Sequence, residues 1–482
     1  MNYSATLRTL LLATAVVGLL GLTACDQTID KTPQQSQPID QVFTDVSGAE
    51  AALTGAYSGL QQNGLYGGFP LMAADFTADV AAFSGSFTTW QQAAAFNISS
   101  THGPTENIWA DHYDVINQAN LIIENTPDIE GIQQGTVDDI VGQAKFIRAL
   151  AYFNLVRWFA QPYEPGTTND QPGVVLQTDG VQSTDPEFNK QRASVEEIYT
   201  QIRTDLEDAA SRLEVEGARI RAGQSTANAL LAKVSLYQGR WDEAASLANS
   251  VINQDVFQLS SDPLAPYATE SSPEIVFAVS FSSIDNTGVN DFPSSFYLPE
   301  DRGGRGDINP LPQFVENAEE GDLRAQSGGG FETGSEVNGD ALLYSDVDLL
   351  WTNKWTQSSL GDDAPVLRVA EMYLIRAEAN VRGSGSAADA REDVNEIRNR
   401  AGLGDVDPNL SGQALIDEII TQRRYELAFE GDRRHDLQRL GRSITSGSGT
   451  VQPGANQRIL PIPARTIEVN DALSQADQNP GY

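Results

Sequence analysis

The stretch Ser225-Thr226-Ala227-Asn228-Ala229-Leu230-Leu231-Ala232-Lys233-Val234-Ser235-Leu236-Tyr237-Gln238-Gly239-Arg240-Trp241-Asp242-Glu243-Ala244, continuing to Gln254, decides the fold. Leu231 and Ala232 lie in a first helix that stops at Gly239. Trp241, Ala244, Leu247, Ala248 and Val251 recur at helical spacing along a second. The small residues Ala232 and Ala244 let the two helices approach closely. One such hairpin cannot bury both its faces alone and needs stacked neighbours.

A second hairpin supplies a neighbour. Ala370, Leu374, Ala377 and Val381 share one stripe of a helix over 367–382, and Gly383-Ser384-Gly385 turns the chain. Ala387, Ala390, Val394, Ile397 and Ala401 return along the next helix, which Gly402 ends. Upstream, Thr136-Val137-Asp138-Asp139 has the form of a capping box with Asp in the third place. Ile140, Ala144, Ile147, Ala151, Leu155 and Trp158 follow on one face, and Pro162 closes that helix. The turn from Tyr237 to Ala244 resembles that of a tetratricopeptide repeat, although the period is not regular along the chain. Strand signal is thin. Ile275 to Phe281 is β-rich, and 282–362, rich in Gly, Asp and Ser, reads as long loops with short strands. The fold class expected is therefore mainly α: tetratricopeptide-like helix pairs packed against a loop-rich region with a few short strands.

The chain has 482 residues, 40% of them hydrophobic, enough for a substantial core. Its one long apolar run, Leu10 to Leu20 after Arg8, is short for a bilayer span and reads as a secretory signal over 1–24. It ends in Leu22-Thr23-Ala24-Cys25, which resembles a lipobox and makes Cys25 the expected lipidation site. Stable anchoring by acyl chains needs more than one chain, each buried CH₂ contributing about 0.8 kcal/mol. Residues 25–45, polar with Pro33 and Pro38, read as a lipid-anchored tether. Cys25 is the only cysteine, so internal disulfides are excluded and stability must come from packing. The formal charge of -35, with five lysines, excludes nucleic acid as a partner, because phosphate contacts need Lys/Arg clusters. An acidic, lysine-poor chain suits a saline medium; an arginine-preferring genome with an acidic bias produces the same composition.

Several further segments complete a pattern: Ala52-Leu53-Thr54-Gly55-Ala56-Tyr57, Ile108-Trp109, Asn117-Gln118-Ala119-Asn120, and Ala144 to Phe153. Later come Ala364 to Arg368, Ala370 to Ala379, Arg424-Tyr425-Glu426-Leu427-Ala428-Phe429-Glu430-Gly431, Leu460-Pro461-Ile462-Pro463, and the ending Gln478-Asn479-Pro480-Gly481-Tyr482. Together, in this order, they resemble the SusD/RagB family of outer-membrane lipoproteins. The resemblance implies an N-terminal helical region over 46–224, the tetratricopeptide-like hairpin over 225–265, and a C-terminal domain over 266–482 with the insertion 282–362. It implies the binding of a glycan or other oligomeric nutrient. It also implies delivery to a TonB-dependent, SusC-like barrel from a lipid-anchored position on the outer membrane, facing the cell exterior. Asp26, directly after the cysteine, departs from the pattern in a place that bears on sorting.

Sugar rings present apolar C–H faces that stack on aromatic planes, and their hydroxyls need planar polar partners. Two clusters suit such a ligand: Phe83, Phe87 and Trp90 among Ser and Thr, with Asp79 near, and Phe296-Tyr297 followed by Asp301, Arg302 and Arg305. Trp351 and Trp355 form a third. Trp90 leads, because the family's loop after its first helices faces ligand. The alternative for all of them is capping of the core, the common place for Trp and Phe. Glu426 and Glu430, at i and i+4 with Asp436 near, would serve a surface hydrolase, since glycosidases use paired carboxylates. Arg423, Arg424, Arg433 and Arg434 around them argue instead for a structural ion-pair network, because a cation beside a carboxylate opposes the general-acid role. A protein-binding scaffold is a further alternative. His102, His112 and His435 lack ligand spacing, so neither a catalytic metal nor another cofactor is expected, though a structural Ca²⁺ in the acidic loops would be compatible. Gly303-Gly304-Arg305-Gly306 lacks the Lys-Ser/Thr of a phosphate loop.

Overall fold

Paired helices form the body because the apolar stripes demand it. The computed structural model describes residues 39–183, 185, 188–215, 219–268, 272–325, 343–346 and 349–482. The signal segment, Cys25 and most of the tether lie outside these; the tether's last part, Ile39–Val42, forms a short helix. The helices that matter to the argument begin with α1 (Val46–Gly59), α2 (Phe69–Phe76), α3 (Thr88–Ala94), α4 (Gly103–Asn125) and α5 (Gln134–Phe159). They continue with α6 (Val195–Arg212), α7 (Gln224–Tyr237) and α8 (Trp241–Ile252), then α9 (Pro293–Tyr297), α10 (Val369–Arg382), α11 (Ala387–Arg400), α12 (Gly412–Glu426) and α13 (Arg433–Arg439). α4 packs on α5, α5 on α6, α6 on α7, α7 on α8, α8 on α10, and α10 on α11 and α12. This is the tetratricopeptide-like stack.

The deciding hairpin forms as its residues require. α7 ends in a Schellman turn: Arg240 N–H donates to the Ser235 carbonyl at 2.9 Å and Gly239 N–H to the Leu236 carbonyl at 3.2 Å. Gly239 sits at φ 70°, and a Cβ there would also meet Pro165 at 2.7 Å. Ala232 and Ala244 are fully buried. The expected capping box at Thr136 is a correction: α5 begins at Gln134, two residues earlier, and its N-cap Gln133 makes no side-chain cap. A complete capping box instead opens α6, where the Glu197 backbone N–H donates to Ser194 Oγ and the Glu197 side chain accepts from the Ser194 N–H. The conspicuous Arg148 of α5 is buried, donating to both oxygens of Asp205 on α6 at 2.7 and 2.8 Å and to Asn120 on α4 at 2.8 Å.

The strands are short and pair in twos. β1 (Ala81–Phe83) pairs antiparallel with β5 (Ile308–Pro310), β2 (Pro172–Val175) with β3 (Arg192–Ser194), and β4 (Ile275–Val279) with β8 (Ala364–Arg368). β6 (Leu343–Asp346) and β7 (Leu349–Thr352) form a hairpin. The main hydrophobic core runs from Ala49 to Leu473, and a separate cluster around Ala370, Leu374, Val394 and Leu415 joins α10, α11 and α12. The chain end is fixed to it: Asn479 Nδ2 donates to the Phe159 carbonyl at 2.7 Å and the Leu460 carbonyl at 2.6 Å.

Candidate functional site

The β1–β5 pair brings the segment after α2 against the insertion, with Phe83 opposite Ile308. Aromatic rings from both segments meet there, but most face inward. Trp90 is 4% exposed on α3. It stacks on Phe296 of α9 at 4.3 Å between centroids and 10° between planes, and meets Phe69 edge-on at 5.2 Å. The expectation of an exposed Trp90 platform is therefore corrected. The Ser/Gly/Thr-rich stretch turns into a short helix that carries the indole into the core. Phe296 and Tyr297 are likewise fully buried. The Tyr297 hydroxyl donates to Asp75 at 2.8 Å, and burial lifts the Asp75 carboxyl to about 7 against that bond and one from Gly431. Trp351 and Trp355 are also buried, the latter donating its Nε1–H to the Phe429 carbonyl at 2.9 Å.

What remains at the surface is smaller. Phe83 and Phe87 are half-buried, with Ser84, Ser86 and Thr88 exposed around them. The Arg305 guanidinium lies 4.5 Å from the Phe87 centroid and 5.3 Å from that of Phe296. Its Nε donates to Asp307 at 2.8 Å and Nη1 to Asn290 at 3.1 Å. With the amide oxygen of Asn309 turned to Trp351, that oxygen accepts from the indole Nε1–H at 3.0 Å while the amide nitrogen donates to Ser84 at 3.1 Å. Arg302 is half-exposed on the turn Glu300–Arg302, beside exposed Asp301. A half-exposed ring flanked by a planar cation and a planar carboxylate offers a surface for an apolar sugar face and its hydroxyls. Asp307 and Asn290 had no signal in the sequence; Asp307 is brought to Ser84 beside the β1–β5 pair, and Asn290 is reached through Arg305.

Asp79 is not part of this face's free chemistry. Its oxygens accept from Arg433 at 2.6 and 3.0 Å and lie 3.1 Å from Arg424. Burial pushes the Asp79 carboxyl up, but the Arg433 hydrogen bonds and the Arg433 and Arg424 charges hold it below the ordinary value.

The carboxylate pair is structural. Glu426 accepts from Arg400 at 2.5 Å and Arg368 at 3.1 Å, with Arg324 at 3.6 Å. Glu430 accepts from Arg368 at 2.8 Å and from Lys354 and Tyr267. Burial raises Glu426, yet Arg400, Arg368, Arg324 and Lys354 outweigh it and hold the group at about 2. Glu430 is lowered in the same way, chiefly by Arg368 and Lys354 against burial. A carboxyl held ionised is a poor general acid. The histidines also serve packing. His102 caps α4 and its Nε2 meets the Thr89 carbonyl at 2.9 Å; His112 Nδ1 meets the Ile108 carbonyl at 2.7 Å; His435 packs edge-on against Trp158.

A stacked helical scaffold with a long insertion bearing a small aromatic face defines the class. Residues 347–482 match the family model described as the SusD family, and 29–236 match one described as starch-binding associating with outer membrane. The chain belongs to the SusD family. It is 27% identical to a SusD-like protein of Formosa agariphila, over 97% of this chain and 99% of that one. It is 37% identical to the starch-binding protein SusD of Bacteroides thetaiotaomicron over 129 residues, 25% of this chain and 22% of that one. Among solved structures, a SusD superfamily protein from Bacteroides vulgatus superposes with a TM-score of 0.78 at 23% identity, over 91% of this chain and 99% of the other. A laminarin-binding SusD-like protein gives 0.70 at 25% identity, over 90% and 99%.

Proposed function

We propose that this protein binds an oligosaccharide without cleaving it and delivers it to a SusC-like, TonB-dependent barrel of the outer membrane. In this reading acyl chains on Cys25 hold it there, facing the cell exterior. The observation that carries the binding step is the Phe87 ring with the Arg305 guanidinium laid across it and Asp307 beside it. A flat, half-exposed contact needs no chemistry and releases its cargo readily. The similarity to a laminarin-binding SusD-like protein and to the starch-binding protein SusD supports the ligand class. A surface hydrolase on Glu426 and Glu430 is disfavoured by their burial among arginines.

The test is calorimetry with a panel of oligosaccharides and peptides, followed by analysis of the recovered ligand. Binding with intact ligand is expected. Phe87→Ala should weaken it about thirtyfold, the cost of a hot spot of about 2 kcal/mol. Product formation would establish the hydrolase instead, and no binding to any member would leave the scaffold reading. Pull-down from gently solubilised membranes should recover a barrel of the SusC type; recovery of this protein alone from several mild detergents would count against a stable complex.

A further inference from the structure

Among the described arginines, Arg219 alone makes no hydrogen bond, ion pair or ring contact through its side chain. Its Nε is buried without a partner. Its backbone is nonetheless fixed, because the Arg219 carbonyl accepts from the Ala278 N–H of β4 at 2.9 Å. Arg219 lines a cavity of about 410 Å³, none of whose lining residues belongs to the Phe87–Arg305 face. Small-molecule pockets commonly span roughly 300–1,000 Å³.

The lining has two kinds of surface. Ile220, Pro266, Ile275, Ala278 and Pro365 are apolar, and the half-buried Tyr267 adds a ring. Ile220 is 44% exposed. The polar groups are Arg219, Gln357, Asp362, Asp363 and Lys354. Lys354 is committed: it donates to Glu430 and to the Glu426 carbonyl, so it adds no free charge. Asp362 receives the Thr356 and Gln357 N–H groups at 3.3 and 2.9 Å, and Asp363 the Phe281 N–H at 2.9 Å. The two bonds to Asp362 leave lone pairs on its carboxylate. The cavity therefore sets donors, from a guanidinium and an amide, beside acceptors, from two carboxylates, against an apolar wall.

We propose that this cavity is a second carbohydrate pocket, taking one or two neutral sugar rings. A hydroxyl both donates and accepts, so it is matched by donors and acceptors side by side. An anionic group would meet Arg219 but also face two carboxylates. The proposal rests on the glycan-binding reading and adds to it a site and a charge class.

The experiment measures calorimetric binding of neutral disaccharides built from glucose, galactose, mannose and xylose, and of longer oligosaccharides of the same sugars. Wild type, Arg219→Ala, Gln357→Ala and Phe87→Ala are compared. Each pocket variant should weaken disaccharide binding at least tenfold, while Phe87→Ala leaves it within about twofold and weakens the longer ligands. Melting of Arg219→Ala should match wild type, because its side chain holds nothing; a lowered midpoint would mark a structural residue and overturn the assignment. Disaccharide binding unaltered in both pocket variants, or longer glycans bound while no disaccharide binds, would overturn the pocket and leave the glycan reading standing. Tighter binding of uronate or sulfated disaccharides would overturn the neutral assignment. No carbohydrate bound by wild type would sink both readings.

Discussion

Replacing Trp90 with alanine should cost stability, not affinity as such. The indole is 4% exposed and touches five rings: Phe296, Phe69, Phe76, Phe83 and Phe87. Truncating a buried Trp costs about 3–5 kcal/mol through lost transfer energy and the cavity left behind. With an unfolding entropy of about 2.1 cal/mol/K per residue, a chain of this length unfolding as one unit loses about 3–5 °C in melting temperature. The stacked Phe296 is a second handle. A double-mutant cycle with Phe296→Ala should show a coupling of about 0.5–1.5 kcal/mol. Phe87→Ala, in the same cluster but half-exposed, should move melting far less and affinity far more. Scanning calorimetry and oligosaccharide titration on both variants decide the matter. If Trp90→Ala melts within about 1 °C of wild type and loses ligand, the ring is reached by glycan and the assignment of Trp90 to the core is wrong.

Glu426→Gln should destabilise the fold by about 3–5 kcal/mol at pH 7, because it leaves Arg400 and Arg368 buried without their counter-charge. The folded group lies at about 2 against an ordinary 4.5, so its contribution is complete above 4.5 and is lost as pH falls through about 2; urea unfolding should show the gap between variant and wild type closing over that window. The charge of -35 predicts that melting rises from low to molar NaCl as self-repulsion is screened, and a flat or falling midpoint would remove that argument. Cys25→Ser should move the protein out of the membrane fraction, checked beside the acyl mass of the wild-type N-terminus; a variant that stays with the membrane, and a wild type without acyl mass, would end the lipoprotein reading.

The helix pairs were legible because their signals are local. Gly239 needs a left-handed backbone, Ala232 and Ala244 need close approach, and the stripes on α10 and α11 repeat within a single element. Ile275 to Phe281 announced β4 with a boundary error of two residues. The capping box was misplaced because Asp139 in the Thr136 pattern lies inside a helix that had already begun. The aromatic site was misread for a different reason. α3 has seven residues, too few for a period to appear, and the partner that buries Trp90 stands on α9, far along the chain. A cluster of aromatics in a Ser/Thr-rich stretch looks exposed when its covering strand and helix are not visible in the local sequence.

The layout also explains why the site is harder to read than the scaffold. β4 and β8 pair side by side, so the chain leaves the body after Val279 and re-enters opposite it at Ala364, with Ile275 opposite Arg368 at the body end of the pair. Arg368 is clamped there by Glu274 at 2.5 Å, by Glu426 at 3.1 Å and by Glu430 at 2.8 Å. Arg400 of α11 joins Glu274 at 2.6 Å, and Arg423 of α12 binds Glu371 of α10, Asp432 and Asp436. The recognisable stretch from Arg424 to Gly431 thus belongs to a clamp that fixes the base of the insertion to the helices. Removing one partner of such a network is costly, which holds these residue types in place. The loops beyond the clamp carry Arg305, Asp307 and Gln357. Both ends of the loop region are thus fixed together on the helical stack. The residues that identify the fold therefore sit where β4 and β8 join the helices, and those of the proposed sugar face sit on the loops between these strands and on the segment after α2.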